Sequence, residues 1–163
     1  MEYIYIGKFL GTHGLKGEIK FKSNFEYLTR VLKEDFPLYI GDNKKCEHII
    51  SFRPHKDYYL ITLKDYNDID LVSVYVNKEV YVSKDDLNLN TNEYVMEDFI
   101  DKKVFFGDVC LGVITSIEDY GSSNYVMKIL GDSELLVPYN DNFIDRVSDN
   151  IYLKNVEGFI DEN

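Results

Sequence analysis

The sequence predicts an all-β protein built from two small β-barrels, and three observations carry that expectation. Aromatic residues are abundant, 14 Tyr and 10 Phe with no Trp, and such side chains suit a pleated, half-buried surface. Short runs alternate between polar and apolar residues, as in Glu18-Ile19-Lys20-Phe21-Lys22, the mark of a strand with one buried face. In the C-terminal half, turn signals recur about every eight to twelve residues, the spacing of a small barrel. The polar, Asn-rich stretch 85–92 offers little to anchor a core. It reads as a linker between an N-terminal unit, 1–84, and a C-terminal unit, 93–163.

The elements follow in order. Tyr3 to Leu10 reads as a strand, with Ile4 and Ile6 on one face and Tyr3 and Tyr5 on the other. Three glycines between Gly11 and Gly17 supply the positive-φ positions of a tight reversal. Strict alternation then resumes at Glu18–Lys22, so the glycine-rich turn lacks the strand–turn–helix context of a phosphate cradle. Phe25 to Lys33 places Phe25, Leu28, Val31 and Leu32 at helical spacing, and Asn67 to Val76 predicts one further helix. Phe36–Ile40 is a strand. Cys46–Arg53 and Tyr58–Lys64 form a hairpin around Pro54-His55-Lys56-Asp57, and Glu79–Ser83 closes the first unit. Beyond the linker the expected strands are Val104–Phe106, Leu111–Glu118, Tyr125–Leu130, Leu135–Val137 and Ile151–Leu153, with a Gly121-Ser122-Ser123-Asn124 turn among them.

The formal net charge of −11 is unevenly placed. Residues 1–85 carry 13 Lys+Arg and 13 Asp+Glu; residues 86–163 carry 5 and 16, a net of −11. A surface of that balance repels phosphate and attracts basic protein, although solubility alone also follows from it. Against this background Lys8, Lys16, Lys20 and Lys22 form a local basic group able to meet RNA phosphate. The N-terminus has no basic stretch before an apolar one, so no signal peptide is expected, and no apolar run reaches the length of a membrane span.

Chemistry-bearing constellations are scarce. The three histidines, His13, His48 and His55, and the two cysteines, Cys46 and Cys110, show no zinc-like spacing. Both thiols are expected to be buried and structural, in a reducing cytoplasm. There is no nucleophile elbow, P-loop or dinucleotide fingerprint, and the many C-terminal carboxylates are spread over several loops. The expectation is therefore of no catalytic residues, no metal and no cofactor.

The stretches from Gly7 to Glu18, from Glu93 to Ile100 and from Leu136 to Asp161, in that order, resemble the RimM family of bacterial ribosome maturation factors. Gly7-Lys8-Phe9-Leu10-Gly11-Thr12-His13-Gly14-Leu15-Lys16-Gly17-Glu18 is similar to the family's N-terminal signature. Glu93-Tyr94-Val95-Met96-Glu97-Asp98-Phe99-Ile100 is similar to its interdomain motif of paired tyrosines followed by Asp-Leu-Ile-Gly. Leu136-Val137-Pro138-Tyr139, Phe143-Ile144 and Val156-Glu157-Gly158-Phe159-Ile160-Asp161 resemble its closing pattern, and Arg53-Pro54-His55 falls where the family has a similar hairpin. Three positions depart from it. Val95 stands in place of the second tyrosine, Asp101 in place of the glycine after Ile100, and Asn77 in place of a glycine before the last N-domain strand.

The resemblance implies a six-stranded N-terminal barrel akin to those of elongation factors and a C-terminal barrel of the photosynthetic-reaction-centre (PRC) type. It implies a monomeric cytoplasmic chaperone of ribosome biogenesis that acts by binding. Its partners would be the small-subunit precursor and, in the subunit head, small-subunit ribosomal protein nineteen, with support for rRNA processing. Tyr94, Val95, Met96, Asp98 and Phe99 would contact the ribosomal protein. The alternative is a barrel module binding rRNA directly through the N-terminal lysines, with His13, Lys16, Lys20 and Lys22 facing the RNA.

Overall fold

The structure is a computed structural model and describes residues 1–122 and 124–160. Ser123 of the expected turn and Asp161 of the closing motif lie outside the described residues. The chain divides into two compact units, Met1–Glu93 and Tyr94–Asn163, both dominated by strands.

In the first unit the strands are β1 (Tyr3–His13), β2 (Glu18–Lys22), β3 (Pro37–Ile40), β4 (Lys45–His55), β5 (Tyr58–Leu63) and β6 (Glu79–Ser83). They close into a six-stranded barrel in the order β1-β2-β5-β4-β3-β6, with β1 pairing antiparallel to both β2 and β6. Alternation does what the sequence predicts. Ile4, Ile6, Ile19, Phe21, Leu38, Ile40, Val80 and Val82 point inward and are buried, and Phe9 and Phe21 meet edge to face at 5.6 Å. β1 runs on through Gly11 to His13, so the reversal is shorter than expected and occupies residues 14–17. Pro54 and His55 likewise belong to β4, paired with Tyr59 and Tyr58, which leaves Lys56, at φ +58°, and Asp57 as the turn. This two-residue connection, entered by positive φ, matches the twist of a hairpin.

The helical segments are shorter than their apolar spacing suggests. α1 is only Leu28–Val31. The expected helix over 67–76 is split: α2 (Ile69–Val72) starts on Asp68, whose side chain accepts from the Asp70 amide, and a 3₁₀ turn over Ser73–Tyr75 follows. Asn77, at φ +65°, ends the segment. A buried polar cluster fixes it in place. Tyr66 donates its phenol to Glu47 Oε2 on β4 at 2.5 Å, Tyr75 donates to the same oxygen, and the two phenols lie 3.1 Å apart. Burial, and then the bond to Glu47, push the Tyr75 phenol far above its ordinary value.

Residues 85–92, read as a linker, lie with the first unit. A 3₁₀ turn over Lys84–Leu87 buries Leu87, and Arg30 donates to the Leu87 carbonyl at 3.2 Å and pairs with Glu93. Leu87, one of two leucines in this polar stretch, is the anchor that its composition obscured.

The second unit contains β7 (Lys103–Phe106), β8 (Val109–Asp119), β9 (Tyr125–Leu130), β10 (Glu134–Pro138), β11 (Ile144–Val147) and β12 (Ile151–Leu153), ending in α3 (Glu157–Ile160). Its barrel-like sheet has the order β10-β9-β8-β7-β12-β11, with β12 and β7 parallel and the other pairs antiparallel. β11 was not anticipated; it buries Ile144 but leaves Asp145 and Arg146 exposed, too short a run to alternate visibly. The core gathers Phe99, Val104, Ile114, Met127, Ile129, Val137, Ile151 and Val156, all fully buried. The cysteine expectation fails: Cys46 and Cys110 are free and exposed, on strand faces that point outward. Among the described residues, no helix is long and apolar enough to cross a membrane.

Candidate functional site

Two places collect the residues singled out by sequence. The first is the motif segment that opens the second unit. Val95 precedes a 3₁₀ turn, Met96–Phe99, closed by the Asp98 amide on the Val95 carbonyl at 3.0 Å. The short turn forces its side chains apart. Val95 and Phe99 turn inward, 1% and 0% exposed, and Phe99 packs against the rings of Tyr94 at 5.9 Å and Tyr139 at 5.0 Å. Phe99 is thus corrected from a contact residue to a core residue, and Val95, nearly as buried, likewise presents no surface to a partner. Tyr94, Met96 and Asp98 are half-buried, and Glu97 is exposed.

The departures at glycine positions have a physical reading. Asp101 adopts φ +70° and Asn77 φ +65°. Asp and Asn are the non-glycine residues best able to occupy the left-handed region, so the backbone shape that glycine would allow is kept. Val95 is different in kind: it has no unusual backbone angle, and its side chain is buried.

The field around the motif is negative. Residues 94–163 carry 5 Lys+Arg against 14 Asp+Glu, a net of −9. Glu97, Asp101, Asp108, Asp132, Asp141, Asp145 and Asp149 are exposed.

The second place is the first barrel around the β4–β5 turn, where His13, Lys20 and Lys22 gather, while Lys16 sits in the 14–17 turn that packs against residues 66–69. Lys16 and Lys22 are exposed, and Lys22 faces Asp57 at 3.5 Å, an open pair worth little. Lys20 is half-buried, its Nζ 5.4 Å from the centroid of Tyr58. His13 lies against His55 at 4.9 Å, and His55 against Tyr58 at 5.6 Å. Beside them Arg53 donates from Nε and Nη2 to the two oxygens of Glu18, at 2.8 and 3.0 Å. That fork holds the Glu18 carboxyl below the usual range. His55 and Tyr58 were missed as site residues, because their approach to His13 is made by the β1-β2-β5-β4 order and leaves no mark on local spacing. The available signal was Arg53-Pro54-His55, which the resemblance marked only as a hairpin of the family's kind. Among the described residues, no group of three or more His, Cys, Asp or Glu could hold a metal ion.

Comparison with known proteins places this arrangement. The family model described as the RimM N-terminal domain matches residues 4–87, which takes in all six strands of the closed barrel but for Tyr3. The chain belongs to the RimM family. A ribosome maturation factor RimM from Ligilactobacillus salivarius is 34% identical over 90% of this chain and 90% of its own length. One from Exiguobacterium is 28% identical over 99% of each. A crystal structure of RimM from Pseudomonas aeruginosa superposes with a TM-score of 0.49 at 21% identity, covering 94% of this chain and 97% of that one. RimM membership thus extends beyond the barrel matched by the domain model, since the relatives align along both units.

Proposed function

We propose that this RimM-family chain is a maturation factor for the small ribosomal subunit that acts in the cytoplasm, as a monomer, by binding rather than by catalysis. Its second unit docks a basic ribosomal protein, small-subunit protein nineteen in the subunit head, and so assists rRNA processing nearby. The observation that carries this reading is the end-to-end match to ribosome maturation factors, joined to a net charge of −9 on residues 94–163. Complementary fields speed encounter with a basic partner and exclude acidic ones. Affinity then comes from the half-buried motif side chains Tyr94 and Met96, with Asp98 and Glu97 beside them, while Val95 and Phe99 hold that surface in shape from below.

The test is Tyr94→Ala. A central tyrosine anchor contributes about 2 kcal/mol, close to a thirtyfold change in Kd. Affinity for purified ribosomal protein nineteen should fall by that order, while the thermal midpoint moves little. Equal loss of binding and stability would make Tyr94 a packing residue, and binding that is insensitive to added salt would remove the role of the field.

A second reading has its own observation. The first barrel carries His13, Lys16, Lys20 and Lys22 within an otherwise acidic protein, and these residues can meet rRNA directly. A Lys16/Lys20/Lys22 triple alanine variant should then lose RNA affinity and flatten its salt dependence.

A further inference from the structure

Around the β4–β5 turn of the first barrel the aromatic rings, not the lysines, are the organised feature. His13 ends β1, His55 ends β4 and Tyr58 begins β5. Their rings follow one another at 4.9 and 5.6 Å, with the Lys20 ammonium 5.4 Å from the Tyr58 centroid. All four side chains are half-buried, so each is held by the barrel yet keeps an open face. Lys56, fully in solvent, follows His55 in the turn.

The charge there is one-sided. His13 on β1, Lys20 on β2, Arg53 on β4 and Lys56 in the turn all act on His55 as positive neighbours. The carboxylate facing the two imidazoles is Glu18, and both its oxygens are already taken by Arg53. Asp57 is paired with Lys22. A row of rings flanked by the Lys20 and Lys56 ammonium groups is the arrangement that binds unstacked bases and their phosphates.

We propose that His13, His55, Tyr58 and Lys20 form a binding site for single-stranded RNA, in which the rings take a base, Lys20 and Lys56 take phosphates, and an imidazole gains a proton as the RNA binds. This rests on the second reading above, that the first unit meets RNA, and adds the rings and the proton to it. Partial burial first, and then the surrounding positive charge, hold the His55 imidazole below its ordinary value, so in the free protein it is largely neutral near neutral pH. A phosphate set beside it opposes that positive charge and favours the imidazolium. Binding is then linked to proton uptake, and affinity rises as pH falls.

The experiment is fluorescence anisotropy on the full chain with a labelled oligouridylate of about twelve nucleotides at low salt, a length that spans a typical single-strand site. Between pH of about 7.5 and about 6 the affinity should tighten by up to about tenfold, within the limit that uptake of a single proton sets. His13→Gln with His55→Gln should remove the pH-dependent gain with the thermal midpoint preserved. Tyr58→Leu, which fills the space without a ring, should weaken binding at both pH values by about fivefold or more, while Tyr58→Phe restores it. Wild-type affinity and pH dependence in these variants, alongside loss in the Lys16/Lys20/Lys22 variant, would overturn this site and leave the second reading standing. No oligouridylate binding at any pH would overturn both. Equal binding of polyglutamate would overturn the assignment to RNA, since an anion alone would then suffice.

Discussion

Gly17→Ala should unfold the first unit far more readily than the same change three residues earlier. Gly17 has φ +94°, and an L residue forced into the left-handed region loses roughly 1–2 kcal/mol. Its added Cβ would stand 2.1 Å from the Tyr66 carbonyl oxygen and 2.9 Å from the Asp68 amide nitrogen, where ordinary contact begins at 3.4 Å. Both neighbours are backbone and cannot swing aside. Forcing them back resembles overpacking a core, about 1–3 kcal/mol. It also strains the Ile69 amide bond to the Leu15 carbonyl, 3.1 Å long, worth about 1 kcal/mol. The expected loss is about 3 to 6 kcal/mol, a large part of a small domain's stability. Gly14 has φ +70° but open space around its missing Cβ, so Gly14→Ala carries the backbone cost alone, about 1–2 kcal/mol. Equilibrium urea unfolding of the full chain, followed through the amide signals of Ile19 and Phe21, measures both. Equal losses at the two positions would refute the claim that the first hairpin is docked by close backbone contact at Gly17.

Two further outcomes follow from the packing. Phe99→Ala should destabilise the second unit by about 3–5 kcal/mol, the cost of emptying a buried aromatic site, and a loss below about 1 kcal/mol would mean the ring is not in the core. In an alkaline titration followed by phenolate absorbance, Tyr81, pushed up to about 12 first by its hydrogen bond to Glu79 and then by burial, should ionise late, and Tyr75 later still. Because both pKa values are raised on folding, their contribution to stability is full below the unfolded phenol value of about 10 and is lost as pH rises through the folded values. Loss of the late-ionising Tyr81 signal in Tyr81→Phe checks the assignment, and ordinary titration of all tyrosines in the folded protein would contradict it.

Much of the fold is written in local pattern. Ile4 and Ile6, Ile19 and Phe21, Leu38 and Ile40 mark their strands because each lies two residues from its fellow, the spacing that buries one sheet face. Elements governed by distant contacts were illegible. The helical spacing over 67–76 is real, but the bonds of Tyr66 and Tyr75 to Glu47, some 19 and 28 residues away, break it into a short helix and a 3₁₀ turn. Leu87 reads as a stray apolar residue until its burial is seen. At the candidate sites, the tyrosine and acidic residues of 94–98 were visible as a motif, yet which of them face inward depends on the Val95–Asp98 turn. His55 and Tyr58 join His13 only through strand order.

The two sheets also differ in how they avoid joining other sheets. The first has no free edge, since β1 and β6 pair. The second ends its order on β10 and β11, whose outer backbone groups would otherwise invite another chain to add on. β10 carries Glu134 at one end and Pro138, which has no amide to donate, at the other, with α3 near it. β11 is four residues long and exposes Asp145 and Arg146. A chain so rich in strand-forming residues thereby offers a neighbouring strand no long, unguarded edge.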